Sequence, residues 1–296
     1  MGSYNGILVI YKEKGWTSFD VVARLRRILG MKKIGHTGTL DPDAQGVLPV
    51  ALGKGTKLVD MLTDKDKAYE AVLRLGIDTD TQDMTGNVLA EKEVCVSEEA
   101  VRAVIESFLG AQMQIPPMYS ALKVGGKKLY ELAREGQVIE RSPRPVCFHE
   151  IRITEMKLPL VRFSVTCSKG TYIRTLCHDI GEKLNCGGCM ESLLRTKAGS
   201  FTLKDCLTLE QVERAAAEGT LDSRIFSIEE TLEDYPRLLC RQEGDRLLAN
   251  GNPMPEELMQ SQYKDGCVRM CASSGLFAGI FKWDTKKERY YPVKMF

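Results

Sequence analysis

Ile7–Tyr11 is an unbroken apolar run too short for a helix, and it predicts a buried strand. Val21, Val22, Leu25, Ile28 and Leu29 then recur at helical spacing behind Ser18, whose hydroxyl is placed to cap the helix, with Gly30 as its stop. The other face of that helix carries Arg24, Arg26 and Arg27, followed by Lys32 and Lys33. Tyr69–Leu75 alternates, with Tyr69, Ala71, Leu73 and Leu75 against Glu70, Val72 and Arg74, which predicts a half-buried strand. Ser97–Leu109 predicts a helix with acids in its first turn and Gly110 just past its end. Val161–Cys167 alternates again, Thr175–Leu184 has helical spacing, and Thr208-x-x-Gln211 is a capping box opening another helix. Strands and helices without a regular βαβ rhythm favour an α+β fold. Beyond Tyr235-Pro236 come short strand candidates, Val268–Ala272 and Leu276–Trp283, the texture of a small β-rich unit.

Composition changes this picture little. In 296 residues, 43% hydrophobic and 27% charged, the chain has ordinary globular content, which excludes disordered and fibrous classes. Its 41 basic and 40 acidic side chains leave a net charge of +1. That excludes a polycation coating nucleic acid indiscriminately, but not a basic face. Met1–Tyr11 lacks the basic start and apolar length of a signal segment, and no stretch is apolar enough to cross a bilayer, so a cytoplasmic protein is expected. Ten cysteines include only two close pairs, Cys186-Gly-Gly-Cys189 and Cys267…Cys271. A structural zinc site wants two well-spaced pairs, so reduced thiols are expected and no metal.

Candidate chemistry gathers in a few stretches. Gly35–Gly46 holds His36 and Asp41 among glycines that permit close backbone approach to a ligand. Asp41-Pro42 reads equally as a helix start, with Asp as N-cap and Pro at the first helical position. Gly53-Lys54 fails the P-loop pattern, and the run from Asp78 to Asp83 fails an EF-hand, since Asp83 occupies the required glycine. In Gln114–Arg134, Lys123, Lys127, Lys128 and Arg134 interleave with Tyr119 and Tyr130. That pattern suits phosphate contacts and base stacking, or simply a solvated helix, since Glu131 and Glu135 intervene. Arg174 stands at a strand-to-helix junction, where it meets a carboxylate from elsewhere or forms a minor surface ion pair.

Taken together, Lys12-Glu-Lys-Gly-Trp-Thr-Ser18, Gly35-His-Thr-Gly-Thr-Leu-Asp41, Asp66-Lys-Ala-Tyr69, Gln114–Lys123, Lys169-Gly-Thr-Tyr-Ile-Arg174 and Leu193-Leu-Arg-Thr196 closely resemble the bacterial tRNA pseudouridine-55 synthases, the TruB family. The tail, Phe277–Trp283 through Pro292–Phe296, resembles that family's small PUA-type RNA-binding domain. The resemblance implies a pseudouridine-synthase catalytic domain at 1–235, with a mixed, largely antiparallel sheet flanked by helices and an RNA-binding inserted loop at about 116–145, then a PUA-like domain at 236–296. It implies conversion of uridine 55 in the T arm of tRNA to pseudouridine by base flipping, with no cofactor, no metal, no membrane and no obligatory protein partner, in a monomer. Asp41 matches the essential carboxylate, Arg174 its arginine partner, and Tyr69 the tyrosine that stacks on the base and is a candidate for proton transfer. An arginine beside Asp41 would lower the carboxyl pKa by about 1–3 units. His36, Tyr172 and Leu193 match residues around the everted nucleotide, and Lys12, Lys123, Lys127, Lys128, Arg134 and Arg144 are expected at RNA phosphates. Asp41 is compatible with attack at C1′ or removal of a proton from C2′. Two features depart from the family pattern: Glu13 stands where many members have proline, and Cys186-Gly-Gly-Cys189 is outside the signature. The alternatives are a guide-RNA-dependent relative and a catalytically silent tRNA-binding protein on the same scaffold.

Overall fold

The computed structural model describes residues 4–296, so Met1–Ser3 of the expected leaderless start lie outside the described residues. Strand β1 (Gly6–Lys12) is buried, as its apolar run requires, and leads into helix α1 (Ser18–Leu29). The cap of α1 is Thr17 rather than Ser18: Thr17 accepts from the Asp20 amide, and the Asp20 carboxylate accepts from the Thr17 amide. Ser18 turns inward instead, its hydroxyl accepting from the Leu40 amide at 2.9 Å. Gly30 ends the helix in the left-handed conformation.

Strand β2 (Ile34–His36) and strand β3 (Gln45–Leu52) follow, joined by the loop that carries Asp41. No helix starts there. Pro42 and Asp43 form a turn closed by the Ala44 amide on the Asp41 carbonyl, and the chain passes straight into β3. Helix α2 (Val59–Thr63) precedes strand β4 (Lys67–Leu75), and a hairpin of β5 (Ile77–Thr79) and β6 (Val88–Glu91) precedes helix α3 (Glu98–Glu106). Strand β7 (Gly110–Gln114) opens an excursion containing the hairpin β8 (Lys123–Val124) and β9 (Lys127–Lys128) and helix α4 (Leu129–Arg134). Met118, Leu129 and Leu132 give this excursion a small core of its own. The chain returns through β10 (Arg144–Lys157), β11 (Leu160–Cys167), helix α5 (Ile173–Lys183), β12 (Gly188–Ala198), β13 (Phe201–Thr202) and helix α6 (Leu209–Glu218).

These strands make one nine-stranded sheet in the order β1-β3-β12-β4-β11-β10-β7, with β2 beside β3 and β13 beside β12. Its pairings are antiparallel except β12 with β3, which is parallel and joins only Leu194 to Gln45 and Arg195 to Gly46. That narrow contact is the seam between two half-sheets. Gly46 makes it possible: it has φ 106°, and a Cβ there would lie 2.2 Å from the Arg195 carbonyl oxygen. The mixed, largely antiparallel sheet with flanking helices is the α+β architecture expected from the sequence.

One core packs α5 (Leu176, Ile180) and α3 (Ile105) on Leu73, Phe163 and Val165, while another packs α1 and α6 on Leu8, Ile10, Leu48 and Val50. The tail builds a separate five-stranded sheet from β14 (Arg237–Leu239), β15 (Met254–Pro255), β16 (Cys267–Cys271), β17 (Phe277–Asp284) and β18 (Arg289–Met295), with helix α7 (Asp245–Ala249) between β14 and β15. It is not a loose appendage. Ile280, Phe277 and Phe296 pack into one apolar cluster with Ile7, Val9, Leu58 and Leu62, and the Lys57 ammonium donates to the Met295 carbonyl at 2.6 Å.

Candidate active site

Asp41 lies in the β2–β3 loop, with its side chain about one-third exposed (35%). The loop is clasped from below by Lys12, the last residue of β1, whose ammonium donates to the carbonyls of Pro42 (3.0 Å), Trp16 (2.6 Å) and Glu13 (3.1 Å). Lys12 has no exposed surface, and burial lowers its pKa to about 8. This corrects the expected phosphate contact: β1 ends beneath the loop, so the side chain is spent on three carbonyls and cannot reach an RNA backbone. The Gly15 amide adds a further bond to Pro42, so Glu13 in place of proline leaves the turn tied to the site.

Arg174 is the second residue of α5, and its guanidinium is almost wholly buried. It donates to Asp41 Oδ1 at 3.3 Å and to the Tyr119 carbonyl at 2.6 Å, and lies 3.8 Å from Asp83. The ion pair anticipated from the sequence is therefore made across the seam of the sheet. The expected direction of the Asp41 pKa is not. Burial, and then the neighbouring Asp83, raise the carboxyl above its ordinary value against the pull of Arg174 and Lys12.

Tyr69 rises from β4 and is 9% exposed; burial pushes its phenol up, with Arg195 pulling the other way. Tyr172 caps the front of α5, and its ring lies 5.8 Å from the Arg174 guanidinium. Leu193 sits on β12 opposite Ala71, packed on the cluster that includes Tyr69. His36 ends β2; burial and Arg195 lower its pKa, and its Nδ1 accepts from the Gly38 amide at 3.4 Å. Lys123, Lys127, Lys128, Arg134 and Arg144 lie outside this pocket, on the excursion and the strand that leaves it. Lys128 and Arg134 both flank the Tyr130 ring, at 5.3 and 5.4 Å.

Four residues escaped the sequence reading. Asp83 is a second carboxylate on Arg174, fixed by donors from Thr81 and Thr85. Gln114 is buried and holds Tyr172 by its amide and its carbonyl at 2.8 and 3.0 Å. Lys67 is buried two residues before Tyr69, its ammonium on the carbonyls of Thr63 and Lys65. Arg195 is buried directly opposite Tyr69 and donates to the carbonyls of Val47 (2.7 Å), Gly38 (3.2 Å) and Thr39 (3.3 Å). A signal did exist for each: Asp83 stands in the unexplained acidic turn, and Gln114, Lys67 and Arg195 stand inside the matching blocks, where as strand residues they suggested no role of their own.

Among the described residues, the cysteines are free thiols, and Cys186 and Cys189 are buried. Asp78, His178 and Glu182 place possible ligand atoms within 4.8 Å of one another, but Asp78 already accepts from the Gly188 amide and faces Lys92 at 3.8 Å.

Residues 26–173 match the family model for the N-terminal domain of the TruB family pseudouridylate synthases, and residues 174–233 that for the C-terminal domain of tRNA pseudouridylate synthase B. The division between them cuts α5, a continuous helix here. The chain is 52% identical over 306 residues to a tRNA pseudouridine synthase B of Lachnoclostridium phytofermentans, covering 99% of each. A tRNA pseudouridine synthase B of Bacillus pumilus is 43% identical over 300 residues, covering 98% of this chain and 97% of that one. The solved Cbf5-Nop10-Gar1 complex aligns with a TM-score of 0.76 at 26% identity, over 98% of this chain and 84% of its own.

Proposed function

The chain belongs to the TruB family of pseudouridylate synthases, and we propose that Asp41 is the carboxylate on which its conversion of uridine 55 in the T arm of tRNA to pseudouridine depends. The observation that carries this assignment is the Asp41–Arg174 pair, 3.3 Å apart beside Tyr69, on a loop clasped by Lys12 and Ser18. The isomerisation breaks the bond from ribose C1′ to the base nitrogen, turns the uracil and rejoins it through carbon 5. Such a reaction asks for one carboxylate against the sugar, a wall that holds the loose base, and an acceptor for the carbon 5 proton. Asp41 faces the sugar and Arg174 fixes its orientation; Tyr69 stacks on the base and is the candidate relay for the proton. Tyr172 and Leu193 line the pocket, and His36, whose Nδ1 already accepts from the Gly38 amide, presents Nε2 to the everted nucleotide.

A stacked T-loop uridine must first be flipped out, at a cost of a few kcal/mol, which stacking on Tyr69 and phosphate contacts offset. We assign those contacts to Lys123, Lys127, Lys128, Arg134 and Arg144, on an excursion at about 116–145 that closes over the T arm. We further assign residues 1–235 to the catalytic domain and 236–296 to a PUA-like RNA-binding domain, in an enzyme that works as a monomer without guide RNA or partner protein. Among the described residues no helix is long and apolar enough to cross a membrane. Incubation with unmodified tRNA, followed by pseudouridine mapping, tests the whole reading. The wild type modifies the T-loop uridine unaided, and Asp41→Asn lowers the rate by at least about 1,000-fold. Equal modification by both enzymes would remove Asp41 from its role.

A further inference from the structure

The charged side chains that are buried among the described residues are Lys12, Lys67, Asp83, Arg174 and Arg195, and all five lie around this one site. Four are cations and one is an anion; with Asp41 the pocket holds four positive groups against two negative. Arg174 faces both carboxylates. Lys12, Lys67 and Arg195 face backbone carbonyls instead, and among the described residues no carboxylate comes within ion-pair distance of any of the three. An uncompensated buried charge costs several kcal/mol in a folded chain. Three around one pocket, held by carbonyls rather than paired with a carboxylate, form a standing positive field that Asp41 and the nearby acids only partly offset.

The reaction supplies the missing counter-charge. When the C1′–N1 bond breaks, by either route open to Asp41, its electron pair leaves with the uracil and spreads over N1, O2 and O4. The base stays anionic until carbon 5 bonds to C1′; the carbon 5 proton then departs and N1 takes one up. We propose that Arg195, with Lys67 and Lys12 behind it, stabilises the uracil anion while it is detached. Arg195 is the principal contributor because of its place: it pairs directly across the sheet from Tyr69, the residue on which the base stacks, and its guanidinium is fixed under the loop that carries Asp41. The carbonyls that hold these cations keep the field oriented before the bond breaks, so little reorganisation is needed during the step. Arg195 touches no reacting atom; it acts through the field and through the placement of Tyr69. The inference rests on the uracil lying in the pocket between Asp41 and Tyr69.

The test varies the leaving group. Fluorine at carbon 5 withdraws electrons and stabilises the uracil anion by itself, so a 5-fluorouridine substrate depends less on the field. Single-turnover loss of the N-linked nucleoside is followed in T-arm stem-loop RNA carrying uridine or 5-fluorouridine at the target. Arg195→Met is expected to slow uridine cleavage about 100-fold but 5-fluorouridine cleavage less than about tenfold, with RNA affinity within about threefold of wild type. Arg195→Lys keeps the charge, and so restores the wild-type ratio of the two rates even where both are slower. Should Arg195→Met fail to fold, Lys67→Met reads the same difference on a smaller scale. A ratio unchanged from wild type in the folded Arg195→Met or, in its place, Lys67→Met enzyme overturns the inference and leaves these residues a purely structural role. A wild type inert on both RNAs would instead overturn the placement of the uracil in this pocket.

Discussion

Lys12 and Lys123 are the same side chain in opposite circumstances, one without exposed surface at the end of β1 and the other solvated on a hairpin. Removing the first should cost folding, and reversing the second should cost binding. Lys12→Met takes a donor from three part-buried carbonyls, of which, among the described residues, only that of Pro42 keeps another, from Gly15, so urea denaturation should find a loss of about 3 kcal/mol with tRNA affinity nearly intact. Lys123→Glu should leave stability within about 0.5 kcal/mol while weakening tRNA binding and flattening its salt dependence. Nothing in a one-dimensional pattern separates these two lysines, because burial is decided by where β1 ends in space. The Asp41–Arg174 pair was legible from the matching motifs, but the balance of burial against charge that sets its titration was not. In its proposed role Asp41 acts as a carboxylate, and burial raises its pKa. Its ionised fraction therefore falls as pH drops through a value above the ordinary carboxylate range. The acid limb of the single-turnover pH–rate profile should accordingly lie above the 3.8 of an unperturbed aspartate.

Elements were legible where periodicity is long. The alternation around Tyr69 and Val161 and the apolar stripe of α1 correspond to β4, β11 and α1, with the cap of α1 displaced by one residue because Ser18 is taken by Leu40. What periodicity could not carry is contact between elements. The Cys186-Gly-Gly-Cys189 stretch illustrates this: its glycines abut Gly181 of α5, where an added Cβ would lie 2.2 Å from the Gly187 carbonyl carbon and the Gly188 nitrogen. These glycines bring α5 against the start of β12, and α5 is the element that carries Arg174. Gly181→Ala must push the helix off the strand. A loss of about 3 kcal/mol in thermal or urea unfolding is expected, together with a fall in kcat larger than any change in tRNA affinity.

At the scale of the whole molecule, a net charge of +1 conceals a sorting of charges, with the buried ones gathered at the site and predominantly positive. The tail reads as a separate unit in the sequence, since its short strands do not reveal that Ile280 faces Ile7 and Val9. Because that apolar contact is shared, a chain ending at residue 235 should unfold more easily by roughly 5 kcal/mol, about three large apolar contacts, and aggregate where the full chain stays monodisperse in light scattering. The seam of the sheet has a consequence for the order of events on the ribosome. Asp41 belongs to the half-sheet made first, whereas Arg174 and Arg195 arrive only after most of the catalytic unit has been synthesised. Those long-range pairings form late, after the costly closure of a loop of more than a hundred residues. On the proposed roles, a nascent chain thus carries its reactive carboxylate through most of its synthesis without the groups that make it dangerous to a glycosidic bond, and the last pairing of the sheet doubles as the enzyme's safety catch.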